Sequence, residues 1–133
     1  MDDYDRGGYT KYSLMAHMIF VTKYRKQLFC GKTDDDVKQF LYDAANNIGV
    51  RIITMETDKD HVHMLLKYEP DMSVSYIASQ LKQRSTYNMW LYHQELLNRN
   101  YWKHRILWSD GYFACSIGQV SQKTIEHYIQ NQG

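Results

Sequence analysis

His61-Val62-His63 is the stretch whose residue types and spacing could do chemistry. Residues two apart on a β-strand point to one face, so both imidazoles would project together while Val62 turns into the core. Two imidazoles aimed at one point suit a divalent ion, with room left for a third ligand and a substrate. Thr57-Asp58-Lys59-Asp60 before the pair reads as a turn, and Met64-Leu65-Leu66 after it continues a strand. The chain holds six histidines, so the pair alone leaves two readings open, a metal site or a coincidence of spacing.

A second constellation lies near the C-terminus. Tyr128 and Gln132 are four residues apart and share one side of a helix. The Gln132 carbonyl could join two histidines as a third ligand, and Tyr128 could reach whatever the metal polarises. Tyr128 also flanks the apolar positions Ile125 and Ile129, which gives it an equally good structural role. With twelve tyrosines in the chain, spacing by itself does not single it out.

The net charge is +1, but the charges are segregated. Lys11, Lys23, Arg25, Lys26 and Lys32 follow one another with no acid between them, and Lys82, Arg84, Arg99, Lys103 and Arg105 are opposed only by Glu95. That pattern predicts either a basic face for a polyanion or ordinary solvated surface. Tyr101, Trp102, Lys103, His104, Arg105 and Trp108 mix aromatics with cations, as a surface that stacks bases and holds phosphates would. The same aromatics would also serve a core. For nucleic-acid contact the foremost residues are Lys23, Arg25, Lys26, Lys82 and Arg84, followed by Tyr101, Trp102, Lys103 and Arg105.

The elements that must position these groups can be read in order. Residues 1–12 are a polar lead-in, and Leu14 to Val21 is an apolar strand interrupted by His17, which we expect to pack or hydrogen-bond in the core. Thr33 is the expected cap of a helix whose first turn carries Asp34, Asp35 and Asp36 and which Gly49 ends. Val50 to Met55 and His61 to Tyr68 form a hairpin. Ser73 caps a long helix reaching to about Asn98, with an unusually polar middle at Lys82-Gln83-Arg84-Ser85. Tyr112 to Ser116 is a fourth strand, and Ser121 caps a final helix. The order β-α-β-β-α-β predicts an α+β, ferredoxin-like (RRM-like) split βαβ antiparallel sheet, with helices on one face plus a C-terminal helix carrying Tyr128.

At 133 residues the expectation is one domain over 1–133. No apolar run has the length of a membrane span, and Met1-Asp2-Asp3-Tyr4-Asp5 lacks the order of a secretion signal. Cys30 and Cys115 fit reduced thiols. A cytoplasmic location is expected.

Several segments together resemble the single-tyrosine HUH (His-hydrophobe-His) transposases of bacterial insertion sequences, the IS-two-hundred and IS-six-hundred-and-five group. Lys23-Tyr24-Arg25 looks like the family's basic signature, and Asp58-Lys59-Asp60-His61-Val62-His63 like its metal strand. Leu107-Trp108-Ser109-Asp110-Gly111-Tyr112-Phe113 with Ser116 and Gly118 looks like its Trp/Gly/aromatic segment, and Tyr128-Ile129-Gln130-Asn131-Gln132 like its nucleophile helix. The order and spacing of these segments, from about residue 12 onward, carry the resemblance.

It implies a metal-dependent transposase that cleaves and rejoins single-stranded DNA at hairpin-bearing ends. Tyr128 would be the nucleophile, forming a 5′-phosphotyrosine, and His61, His63 and Gln132 the metal ligands. The ligand types alone would admit zinc; the resemblance points to Mg²⁺ or Mn²⁺. It also implies a homodimer in which one subunit's tyrosine helix can serve the other's histidines. Competing expectations are a related HUH nickase or repeat-associated tyrosine transposase, a non-catalytic ferredoxin-like nucleic-acid-binding module, and a phosphodiesterase that uses water.

Overall fold

The computed structural model describes residues 13–102, 104–116 and 122–132. Strand β1 (Leu14–Val21) runs into a 3₁₀ turn at Lys23–Arg25, followed by α1 (Lys32–Asn47), β2 (Arg51–Asp58) and β3 (His61–Tyr68). Then come α2 (Val74–Tyr92), α3 (Gln94–Asn100), β4 (Phe113–Ser116) and α4 (Gln122–Gln130). The four strands lie in the order β2-β3-β1-β4, every neighbour antiparallel. This is the ferredoxin-like arrangement expected from the element order.

Strand alternation divides the sheet into two faces. Met18, Phe20, Val62, Met64 and Leu66 are fully buried and meet Val37, Leu41, Ala44 and Ala45 of α1 and Ile77, Ala78, Leu81 and Met89 of α2. The opposite face has a much smaller cluster, in which Ile19 and Val21 pack with Ile129 of α4, beside Phe113 and Tyr128. Strand β3 alternates without exception between half-buried and buried residues, so His61 and His63 fall on the α4 face.

Two helix boundaries differ from expectation. Thr33 does not cap α1. The helix begins at Lys32 after Gly31, whose φ of 57° is a left-handed value that glycine adopts without a Cβ clash, and Thr33 is buried inside the first turn. The long helix does not continue to Asn98 but breaks at His93 (φ −130°, ψ 38°). His93 Nε2 lies 2.8 Å from Asp36 Oδ2 of α1, and Leu97 beyond the break is fully buried. A tertiary anchor and a buried leucine thus redirect a chain whose local sequence would have remained helical. Ser73 does cap α2, its hydroxyl accepting from Tyr76 N at 3.0 Å. The expected cap at Ser121 lies outside the described residues.

The polar middle of α2 has an internal purpose. Ser85 Oγ donates to Leu81 O (2.6 Å) and accepts from Trp108 Nε1 (2.9 Å). Lys82 Nζ donates to the carbonyls of Ser109, Asp110 and Gly111 at 2.8, 3.2 and 2.8 Å. Together they fasten the segment leading into β4.

Candidate active site

The sheet register brings the polar residues of the α4 face together. His61 stands opposite Val21 and His63 opposite Ile19 on β1, while on β2 Asp58 faces His61 and Glu56 faces His63. Directly paired residues share a face, so two carboxylates flank the two imidazoles. Behind His61, Asp60 Oδ1 lies 2.9 Å from Nδ1. A carboxylate can only accept, which puts a proton on Nδ1 and turns Nε2 away from Asp60.

His63 has a different neighbour. Its Nε2 lies 3.0 Å from Nδ1 of His17, with the rings 5.2 Å apart at 43°. Burial lowers the pKa of His63, reinforced by the nearby His17 and His61 and opposed by Glu56. It therefore stands neutral at pH 7, the form in which imidazole binds metal. Sequence reasoning had left His17 in the core. The signal for its place is parity with Ile19 and Val21, but only the pairing of β1 with β3 sets it beside His63. Glu56 was missed for the same reason.

Among the described residues no group of three His, Cys, Asp or Glu side chains is placed to hold an ion. Gln132 turns its Oε1 toward Gly111, 3.5 Å from where a Cβ there would stand. Tyr128 lies on the correct face but over β4, its ring 5.5 Å from that of Phe113. Phe113 pairs with Ile19, and Ile19 with His63, so Phe113 and His63 are two strand spacings apart, roughly 10 Å. The Tyr128 hydroxyl is buried without a hydrogen-bond partner among the described residues, and burial pushes its pKa up to about 12.

A cleft of about 330 Å³ opens beside His61, lined by Arg25, Asp60, Glu126 and Gln130 among others. The larger groove, about 650 Å³, lies between α2 and residues 105–110 and touches neither histidine. Proximity to the His61 imidazole, not size, makes the smaller cleft the relevant one.

The basic and aromatic residues separate into two groups. Tyr101 is buried, with its hydroxyl donated to Lys23 O at 2.7 Å, and the Lys82 ammonium is held by three carbonyls. Both are thus engaged within the fold, the Tyr101 ring by burial and the half-buried Lys82 ammonium by backbone carbonyls. Trp102 is 74 % exposed. Arg105 lies over the Trp90 ring at 5.3 Å, Lys23 is 3.5 Å from Asp110, and Arg25 is 3.5 Å from Asp60. Arg84 is exposed and reaches Asn47 at 2.8 Å once that amide turns its oxygen toward the guanidinium. Lys26 is half-buried, and Lys103 lies outside the described residues.

Fold and site define the class first: a ferredoxin-like α+β sheet that keeps a histidine pair on the face opposite its main core. The chain belongs to the transposase family described as "Transposase IS200 like", which matches residues 10–132. It is 32% identical over 121 residues to the ISDra2 transposase TnpA of Deinococcus radiodurans, covering 91% of this chain and 85% of that protein. It is 33% identical to the transposase for insertion sequence element IS200 of Salmonella typhimurium, over 99% of this chain and 85% of that one. A crystal structure described as a transposase from D. radiodurans R1 superposes with a TM-score of 0.86 at 30% identity, covering 98% and 97% of the two chains. A REP-associated tyrosine transposase bound to a REP hairpin shares the fold, with a TM-score of 0.56 at 15% identity over 97% of this chain and 68% of that one. Among the described residues no helix is long and apolar enough to cross a membrane.

Proposed function

We propose that this transposase cleaves and rejoins single-stranded DNA at hairpin-bearing ends of an insertion sequence, through a phosphotyrosine formed on Tyr128. The observation that carries the reading is the pairing of His61 and His63 on the same sheet face as the tyrosine helix, with Nδ1 of His61 held by Asp60. The donor set fits a divalent ion: two imidazoles, with carboxylates on the neighbouring strand. Mg²⁺ or Mn²⁺ bound there would polarise the scissile phosphate and stabilise its developing charge.

His61 and His63 share the sheet face on which the phosphate would lie. Tyr128 attacks the phosphorus, and the DNA leaves as a free 3′-hydroxyl while its 5′ end stays on the tyrosine. The new ester keeps the phosphodiester's energy, so a 3′-hydroxyl can later displace Tyr128 and rejoin strands without ATP. Tyr128 begins as a neutral phenol, raised by burial, and must give up its proton on attack. Its place over β4 means that helix α4 has to shift, or be supplied by the second subunit of a homodimer, before attack. Gln132 would reach the histidines in the same movement. Lys23, Lys26, Arg84, Trp102, Lys103 and Arg105 are the proposed DNA contacts.

The test is a denaturing gel of protein with labelled hairpin DNA from the gene's own flanks, with Mg²⁺ or Mn²⁺. A protein–DNA adduct lost in Tyr128→Phe, in His61→Ala and in EDTA is the expected result. Cleavage without adduct would replace the tyrosine mechanism by hydrolysis, and binding with neither would leave a recognition module.

A further inference from the structure

The basic turn after β1 is fastened to the turn that opens β3. Thr22 N donates to Asp60 O (2.9 Å), while Leu28 N and Phe29 N both donate to Lys59 O (2.9 and 3.0 Å). Within the basic turn, Tyr24 and Arg25 have φ values of 59° and 51°, a left-handed region that side-chain-bearing residues enter at a cost. The turn is held in that shape from three sides. Arg25 N donates to Thr22 O (2.9 Å), Thr22 Oγ1 to Lys26 O (2.7 Å), and the buried Tyr101 hydroxyl to Lys23 O.

This scaffold aims Arg25 at the site. Its Nε lies 3.5 Å from Asp60 Oδ2, and the other carboxylate oxygen lies 2.9 Å from His61 Nδ1. The Asp60 side chain is only 13% exposed. A carboxylate with little of its surface in water is favoured when its oxygens are answered. Here one is answered by an imidazole and one by a guanidinium.

We infer that Arg25 and Asp60 form a relay that orients His61, so that Arg25 works on the metal site and not on the DNA backbone. The inference rests on the metal reading proposed above. Asp60 fixes the His61 tautomer and ring direction, and Arg25 holds the second Asp60 oxygen and so keeps the carboxylate turned toward His61. Arg25 and Asp60 are positioning residues: neither touches the reacting phosphate. The left-handed backbone at Arg25 and the long clamp to Lys59 and Asp60 thereby acquire a common purpose, which a phosphate contact on open surface would not require.

The test measures Mn²⁺ affinity of the full chain by electron paramagnetic resonance, and hairpin-DNA affinity in EDTA at several salt concentrations. Outer partners of metal-bound histidines are typically worth about 10–100-fold in metal affinity. Asp60→Ala should therefore weaken Mn²⁺ binding by about that range, and Asp60→Asn, which keeps the size and an acceptor oxygen, by less. Arg25→Gln should weaken Mn²⁺ binding several-fold while leaving the salt dependence of DNA binding unchanged. The double variant should bind Mn²⁺ no more weakly than Asp60→Ala, because Arg25 acts through Asp60. Additive losses overturn the relay. So does Arg25→Gln with unchanged Mn²⁺ affinity and a salt slope reduced by about 1, the mark of a lost phosphate contact. If Asp60→Ala does not fold, Asp60→Asn with wild-type Mn²⁺ affinity overturns it too. Wild-type Mn²⁺ affinity in His61→Ala would instead remove the metal reading itself, and the relay with it.

Discussion

The two faces of the central sheet are made from the same strands and behave as different materials. On β3, Val62, Met64 and Leu66 are fully buried under two long helices, while their neighbours His61, His63 and Leu65 are half-buried under one short helix. The helical face is closed by apolar packing over a large contiguous core. The other face is held by Ile19, Val21, Ile129 and a ring contact between Phe113 and Tyr128. The difference teaches how one fold keeps stability and chemistry apart. A one-residue step along a strand exchanges a side chain that holds the domain together for one that we propose binds an ion.

Adjacent substitutions should break this contrast most visibly. Met64→Ala empties a fully buried site and should lower stability by about 2–5 kcal/mol. His63→Ala, one residue away, should change it by about 1 kcal/mol or less. Urea denaturation with an unchanged m-value would measure both. Equal losses would mean that the two faces are not energetically distinct.

A smaller effect sharpens the comparison at the seam between the faces. Lys82 sits in the core-facing helix yet holds Ser109, Asp110 and Gly111, which lead into β4. Burial pulls its ammonium below the usual lysine range, with Asp110 opposing and Lys23 adding to the shift. Lys82→Met should lower stability by about 2 kcal/mol, the typical worth of a charged hydrogen-bonding group, and leave the salt dependence of hairpin binding as it is. A lower salt slope with unchanged stability would return Lys82 to the DNA-contacting set.

The smallest effect belongs to the thin face. Burial raises the pKa of Tyr128 to about 12, against an ordinary value of roughly 10. The neutral phenol's contribution to the fold is therefore complete below pH 10 and eroded as pH rises from 10 through 12. Wild type should lose more stability than Tyr128→Phe between pH 9 and 11 in parallel urea titrations. At pH 7 the phenylalanine variant should be as stable as wild type or up to about 1 kcal/mol more so, since it removes a buried hydroxyl without a partner among the described residues. Parallel pH profiles would show that Tyr128 is already open to water.

Much of this was legible in the residues themselves. The order of elements, the pairing of β2 with β3, the cap at Ser73 and the shared face of His61 and His63 are written in short-range patterns of period two and period 3.6. So is the terminal helix that carries Tyr128. These features depend on neighbours a few positions away, and the sequence by itself determines them.

Other features depend on which distant segments meet, and only the tertiary structure decided those. His17 joins His63 because β1 pairs with β3 in one register. The long helix breaks at His93 because Asp36 waits on α1. Lys82 and Tyr101, which composition placed on a nucleic-acid surface, are engaged by backbone carbonyls that nothing local announces. Charge and aromaticity state what a side chain can do. Which partner it meets is settled by contacts across 20 to 80 positions, and those exist only once the sheet has closed on its helices.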